Sequence, residues 1–233
     1  MFDHVTIRVA DRAASTAFYR LAIGEPFYDG EFVDWGEFSL LEGVEPTRRL
    51  HIAFAAADRG AVDDWRQKLL AAGYQSDGEP GPRPEYSETY YGAFVFDPDG
   101  NSVEAVHHRR ARAGALDHLW LRTTDIAAQK GFYDAVAPAV GLVPVYDSPQ
   151  RAAFSDGVGS FTFVSGERPT ENVHVAFGAS DPATVDAFYA AALAAGHRDN
   201  GAPGERPQYH RGYYAAYVLD PDGHSVETVF HGR

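Results

Sequence analysis

The chain has 233 residues, of which 45% are hydrophobic and 23% charged, so it is long enough to form one large or two medium globular domains. It contains no cysteine, which excludes disulfides, thiolate metal ligands and a cysteine nucleophile. The net charge of −13 disfavours binding to nucleic acid or to anionic membranes, but not to a small molecule or a metal. No stretch has transmembrane length and the N-terminus lacks the apolar run of a signal peptide, so we expect a cytoplasmic protein.

A short pattern occurs four times along the chain. Each copy begins with a histidine in an apolar run, continues with an aspartate seven residues later, and leads into a helical stretch. The histidines that begin the four copies are His4, His51, His118 and His174. The alternation of the runs predicts strands, and the aspartate is a favourable N-cap for the helix that follows.

Each helical stretch is followed by shorter runs that predict strands, so every copy is expected to be a β-α-β-β-β repeat. The second and fourth repeats end in closely similar segments, YYGAFVFDPDGNSVEAVHH and YYAAYVLDPDGHSVETVFH. Each of these segments predicts two antiparallel strands joined by an Asp-Pro-Asp-Gly turn, and the second strand carries Glu104 or Glu227.

The repeats group into two tandem halves. The same spacing separates His51 from Glu104 and His174 from Glu227, and a short polar and basic segment joins the halves. We therefore predict two α+β domains, 1–112 and 113–233, with the boundary near Ala113. Each domain is expected to be a pair of βαβββ repeats that form a curved mixed sheet around a cavity.

Two histidines and one glutamate are expected to meet in each cavity. Helices cover one face of each sheet, so the histidines should point to the other face. If the two repeats of a domain are related by a pseudo-two-fold axis, their histidines converge, and the last strand supplies the glutamate. This reasoning predicts two ligand sets, which are His4, His51 and Glu104, and His118, His174 and Glu227.

Two imidazoles and one carboxylate suit a divalent metal with open coordination positions; iron, manganese, zinc and nickel all accept this set. Any one of these residues alone is better explained as a half-buried polar side chain. The recurrence of the complete set favours a metal site in at least one domain.

The chain resembles the vicinal oxygen chelate superfamily, also called the glyoxalase/bleomycin resistance protein/dioxygenase superfamily. The histidine-aspartate starts and the YYAAYVLDPDGHSVET endings carry the resemblance, which covers nearly the whole chain as two tandem glyoxalase-like domains. The resemblance implies a small-molecule substrate whose two adjacent oxygens chelate the metal. It does not specify the reaction, and extradiol dioxygenases and lyases or isomerases both belong to the superfamily.

The ligand set is similar to that of extradiol dioxygenases, which also carry a tyrosine on the strand before the glutamate. Here that residue is Tyr217 in the C-terminal domain, and Phe94 replaces it in the N-terminal domain. His210, in the preceding loop, is a second acid/base candidate, with Ser87 as its counterpart. The alternatives are that Tyr217 is a core aromatic and that His210 is an exposed loop residue.

Two function classes stay open at this point. The first is a metal-dependent enzyme whose better-equipped site lies in the C-terminal domain. The second is a metal-free, drug-binding protein related to the bleomycin resistance proteins, in which Trp35, Trp120 and Tyr213 could stack on a cationic ligand. The sequence is compatible with a homodimer, although tandem copies can complete within one chain what shorter relatives assemble as dimers.

Overall fold

Four repeats with the same order of elements follow one another along the chain. The computed structural model describes residues 2–109 and 116–232. Each repeat contains a strand, a helix and three further strands, as the sequence predicts. The predicted domain boundary near Ala113 lies outside the described residues.

The first two repeats contain eight strands and two helices. The first comprises β1 (Phe2–Val9), α1 (Arg12–Ile23), β2 (Tyr28–Asp29), β3 (Val33–Asp34) and β4 (Phe38–Glu42). The second comprises β5 (His51–Ala55), α2 (Arg59–Ala71), β6 (Ser76–Pro82), β7 (Tyr91–Phe96) and β8 (Ser102–His107).

The last two repeats have the same order, with a short 3₁₀ helix (Ala137–Val140) added after the third helix. The third comprises β9 (Leu116–Thr123), α3 (Ile126–Val136), β10 (Val143–Ser148), β11 (Arg151–Ser155) and β12 (Ser160–Ser165). The fourth comprises β13 (Val173–Gly178), α4 (Pro182–Ala194), β14 (Arg198–Glu205), β15 (Tyr214–Leu219) and β16 (Ser225–Phe230). Among the described residues, none of the helices is long and apolar enough to cross a membrane.

The strands form two mixed sheets of eight strands each. One sheet has the order β14-β15-β16-β13-β1-β4-β3-β2, and the other has the order β10-β11-β12-β9-β5-β8-β7-β6. The first repeat therefore shares a sheet with the fourth, and the second with the third. The prediction that consecutive repeats pair was wrong, because four repeats of the same pattern leave the choice of neighbour undetermined.

Two compact bodies can be distinguished from the packing of the chain. The C-terminal body consists of Met1–Thr6 together with Arg122–Arg233, and the N-terminal body consists of Ile7–Leu121. Aromatic side chains fill both cores. In the C-terminal body Tyr133 packs on Phe161 and Phe163 at ring distances of 5.0 and 4.9 Å.

The second strand of each hairpin is held in place by the Asp-Pro-Asp-Gly turn. In both turns the glycine N–H donates to the carbonyl of the first aspartate at 3.0 Å, and the glycine has a positive φ of 84° or 88°. The carboxylate of Asp97 also accepts from the backbone N–H of Asp99 and of Asn101. The side chain of this aspartate is buried, and its hydrogen bonds hold the shape of the turn.

The repeated aspartates begin the helices, as predicted. Asp11, Asp58 and Asp125 each accept from the N–H of an alanine three residues later, and Asp181 accepts in the same way from Thr184. These bonds satisfy N–H groups that the first helical turn leaves without an intrahelical partner. The aspartate of the repeated pattern therefore has a structural role.

We expect the Asp58→Ala substitution to lower the free energy of unfolding by about 1 kcal/mol, because it removes the N-cap of α2. Urea denaturation followed by circular dichroism measures this change. Asp64→Ala is the matched control, since Asp64 is exposed on the same helix, and its effect should stay within about 0.5 kcal/mol. Equal losses in both variants would show that the cap does not stabilise the helix.

Candidate metal centres

Three of the predicted ligands meet in the C-terminal body. His4 lies on β1, His174 on β13 and Glu227 on β16. Oε2 of Glu227 lies 2.9 Å from Nε2 of His174 and 3.5 Å from Nε2 of His4. The two imidazole nitrogens lie 3.3 Å apart. These three atoms face one point and form a group that could hold a metal ion.

The other three predicted ligands meet in the N-terminal body. His51 lies on β5, Glu104 on β8 and His118 on β9. Oε2 of Glu104 lies 3.0 Å from Nε2 of His51 and 3.4 Å from Nε2 of His118, and the imidazole nitrogens lie 3.1 Å apart. The two groups thus repeat the same geometry, and we call them the C-terminal group and the N-terminal group.

The predicted composition of the two sets was wrong in one respect. Relative to the prediction, the histidines of the first and third repeats belong to the opposite groups, because β1 lies beside β13 and β9 lies beside β5. His4 therefore joins His174 and Glu227, and His118 joins His51 and Glu104. All six predicted side chains come together, but in two groups of different membership from those expected.

The parallel pairing of strands places each glutamate beside its histidine. Glu104 pairs with Ala53, two residues beyond His51, and its counterpart Glu227 pairs with Ala176. Side chains two positions apart on a strand point to the same face, so the histidine and the glutamate converge. His51 pairs with Ser102, whose hydroxyl lies 3.1 Å from Nδ1.

An aspartate orients one histidine of each group. Nδ1 of His4 lies 2.8 Å from Oδ1 of Asp3, and Nδ1 of His118 lies 2.8 Å from Oδ1 of Asp117. A carboxylate bound to Nδ1–H fixes the tautomer in which Nε2 carries the lone pair, which is the arrangement that a metal ligand requires. The prediction missed both aspartates. The Asp-His pair in the first and third repeats was the available signal.

A tyrosine hydroxyl donates a hydrogen bond to the second carboxylate oxygen of each glutamate. Tyr90 donates to Oε1 of Glu104 at 2.8 Å, and Tyr213 donates to Oε1 of Glu227 at 2.7 Å. Oε2 is then left to face the two imidazoles, so the carboxylate is set to bind through one oxygen. The sequence predicted no ligand-orienting role for these tyrosines, although each is the first residue of a repeated Tyr-Tyr pair.

The electrostatics keep both carboxylates ionised. Burial favours the neutral form of Glu104, but hydrogen bonds with His118 and His51 prevail and lower its pKa to about 2. Burial also disfavours the imidazolium of His118, yet Asp117 and Glu104 raise its pKa to about 9. The pKa of Glu227 is lowered because the interactions with His174 and His4 outweigh its burial. Anionic oxygen donors are therefore available in both groups at neutral pH.

Tyr217 lies beside the ligands of the C-terminal group, whereas His210 is connected to them through other residues. Tyr217 pairs directly with Glu227 on the neighbouring strand, and its ring centroid lies 6.2 Å from that of His174. His210 contacts His231, with Nε2 and Nδ1 2.9 Å apart. His231 in turn hydrogen-bonds to Asp3 at 2.8 Å. The ring of His210 also lies 5.2 Å from that of Tyr213, whose hydroxyl donates to Glu227, so the described contacts link His210 to the group by two routes.

The donor atoms of both groups suit a small divalent ion. They lie between 2.9 and 3.5 Å from one another within each group. Two ligands about 2.1 Å from a zinc ion are about 3.4 Å apart at a tetrahedral angle, and about 3.0 Å apart at a right angle. Two imidazoles and one carboxylate also have the chemical character that first-row divalent metals accept, and an imidazolium such as that of His118 releases its proton when a metal binds.

Gly92 allows Glu104 to reach its position. A methyl group on Gly92 would lie 2.2 Å from Oε1 of Glu104, the oxygen that Tyr90 holds. We expect Gly92→Ala to displace this carboxylate and to weaken metal binding at the N-terminal group by about tenfold or more. Calorimetric metal titration measures the effect.

The equivalent residue in the C-terminal body is Ala215, which provides the matched control. Ala215→Gly removes a methyl group that this body already accommodates, so the affinity of the C-terminal group should not change. An unaltered affinity in the Gly92→Ala variant would show that the glutamate can shift without cost.

Comparison with known structures identifies the fold. Glyoxalase I from Zea mays is 22% identical, with a TM-score of 0.69 over 99% of this chain and 92% of that chain. A variant of that enzyme gives 23% identity and a TM-score of 0.71, with coverages of 99% and 92%. A putative dioxygenase from Bacillus subtilis subsp. subtilis str. 168 is 14% identical, with a TM-score of 0.69 over 100% of this chain and 85% of that chain. At these identities the likeness concerns the fold alone.

Comparison with protein families identifies the family as well as the fold. The search of curated proteins finds no match. The model of the Glyoxalase/Bleomycin resistance protein/Dioxygenase superfamily matches residues 1–105 and again residues 115–228. The two matches together cover nearly the whole sequence, and each contains two of the four repeats. The chain therefore belongs to the glyoxalase/bleomycin resistance protein/dioxygenase superfamily and carries its domain twice in tandem.

Proposed function

We propose that the chain is a metal-dependent enzyme that acts on a small molecule with two adjacent oxygen atoms. The observation that carries the proposal is the convergence of two imidazole nitrogens and one carboxylate oxygen in each body. His4, His174 and Glu227 would hold one divalent ion, and His51, Glu104 and His118 would hold another. The reaction class is ring-cleaving dioxygenation or a lyase or isomerase step.

The residues around each group prepare it to receive a cation. Asp3 and Asp117 hold one imidazole of each group in the ligating tautomer, and the tyrosine hydroxyls fix the carboxylates. When bound, a divalent metal supplies a Lewis acid that binds two adjacent substrate oxygens and stabilises negative charge on one of them. Iron, manganese, zinc and nickel all fit the donor set.

Tyr217 is the proposed proton donor of the C-terminal group. Burial and the neighbouring Glu227 carboxylate raise the pKa of Tyr217 above its ordinary value, so the hydroxyl keeps its proton at neutral pH. A protonated phenol beside the group can donate a hydrogen bond or a proton to a substrate oxygen. The N-terminal group has Phe94 at this position, so it has no counterpart of the Tyr217 hydroxyl.

His210 is proposed to position the ligands of the C-terminal group through other residues. Its contacts connect it to His231, then to Asp3, and finally to His4. A residue at the outer end of such a chain can orient the ligand histidine but does not touch the group. We therefore propose a positioning role for His210 beside the acid/base role that the sequence predicts.

Metal titration of chelator-treated protein tests the proposal. We expect one divalent ion to bind at each group, and we expect metal-loaded protein to turn over compounds with adjacent oxygens when stripped protein does not. If stripped protein bound no metal, the proposal would fail. Tight binding of a cationic drug-like molecule that is unaffected by chelators would support the metal-free binding protein instead.

A further inference from the structure

The two groups share their donor atoms but differ in the side chains beside them. Trp120 lies two residues beyond His118 on β9, and Thr6 lies two residues beyond His4 on β1. Because side chains alternate along a strand, each residue shares a face with its histidine. The same position therefore carries an indole ring beside one group and a small hydroxyl side chain beside the other.

Trp120 forms an aromatic wall beside the N-terminal group. Its ring centroid lies 6.1 Å from that of His51 and 6.4 Å from that of His118. The ring of Tyr86 meets the Trp120 ring edge to face at 5.6 Å, which helps to fix the orientation of the indole. Trp120 is only half-buried, so part of its surface is accessible to a ligand.

Phe94 adds a second aromatic ring to the same group. Its centroid lies 5.8 Å from that of His51, and the Arg83 guanidinium lies over its ring at 5.4 Å. In the C-terminal body Tyr217 stands at the equivalent position, with Arg206 over its ring at 5.5 Å. At these two positions the N-terminal group therefore has two rings without a hydroxyl, whereas the C-terminal group has a threonine and a tyrosine.

From these contacts we propose that Trp120 and Phe94 make the N-terminal group selective for chelating ligands that carry an aromatic ring. The inference rests on the proposed function and adds a substrate class to one of its two sites. Flat aromatic rings gain free energy from stacking and edge-to-face contacts beyond the area they bury. The C-terminal group has Thr6 at the position of Trp120, so it lacks the indole ring and the preference that this ring provides.

Two hydroxamates test the inference, because they chelate a metal through the same pair of adjacent oxygens. Benzohydroxamate carries a phenyl ring where acetohydroxamate carries a methyl group. Zinc-loaded protein is titrated with both, in a Glu227→Gln background to examine the N-terminal group and in a Glu104→Gln background to examine the C-terminal group. We expect the N-terminal group to prefer the phenyl compound about tenfold more than the C-terminal group does.

Substitutions at the equivalent positions of Trp120 and Thr6 test whether the Trp120 ring causes the preference for the phenyl compound. In the N-terminal group, Trp120→Thr should reduce the preference for benzohydroxamate to the value of the C-terminal group, and Trp120→Phe should keep most of this preference. Thr6→Trp should create the preference in the C-terminal group. Should Trp120→Thr fail to bind zinc, the gain expected from Thr6→Trp decides the question. Equal preferences at both groups, or a preference that survives Trp120→Thr, would overturn the inference but leave the proposed function intact. Absence of zinc binding in the parent protein would overturn both.

Discussion

Replacing Glu227 by glutamine is expected to remove one of the two metal ions that the chain binds. The carboxylate is the only anionic donor of the C-terminal group, and its amide counterpart of the same shape is a weak metal ligand. Loss of a residue that merely orients a ligand costs about 10- to 100-fold in metal affinity, so loss of a ligand itself should cost at least about 100-fold. Metal content after dialysis, measured by elemental analysis, reports the number of ions retained.

Two further variants serve as controls for this experiment. Glu104→Gln should remove the other ion by the same reasoning, and Glu88→Gln should remove none, because Glu88 is exposed in a loop. Circular dichroism must show that each variant is folded, since breaking a buried ion pair is destabilising. Retention of both ions by Glu227→Gln would exclude the C-terminal group as a metal centre.

Local sequence was sufficient to predict the repeats and their helix starts. The alternating runs after each histidine form strands because one face of each run is apolar, and the aspartates cap helices because their carboxylates accept a nearby N–H group. These features depend on residues within one helical turn or one strand. They therefore do not depend on how the repeats are arranged.

The choice of neighbouring repeat could not be derived in this way. His4 and His118 begin repeats with the same pattern, so either histidine is locally suited to the position beside His174. The strand order decides between them by placing β1 next to β13. Long-range strand pairing of this kind is encoded in packing across the sheet and not in the spacing of residues along the chain.

The residues that orient the ligands were also missed, for a different reason. Asp3 and Tyr213 both belong to repeated pairs in the sequence, but their role becomes evident only when their partner atoms are known. The carboxylate of Asp3 acquires a role because Nδ1 of His4 lies within reach. Functional residues that act through another side chain are therefore harder to predict than the ligands they serve.

The membership of the two groups can be tested directly with double variants. If His4 and Glu227 serve the same ion, His4→Gln combined with Glu227→Gln should lose only one ion, because the second substitution damages a group that the first has already disabled. His118→Gln combined with Glu227→Gln should lose both ions, because the substitutions fall in different groups. Elemental analysis of the two purified proteins distinguishes these outcomes without knowledge of the substrate.

If consecutive repeats formed the groups, as the sequence predicted, the opposite result would be expected for each double variant. This arrangement would place His118 with Glu227, so that this pair of substitutions would leave one ion and the pair with His4 would leave none. The contrast is large because each outcome is the presence or absence of a whole metal ion. The geometry favours the first result, since Nε2 of His4 lies 3.5 Å from Oε2 of Glu227, whereas Nε2 of His118 lies 3.4 Å from Oε2 of Glu104.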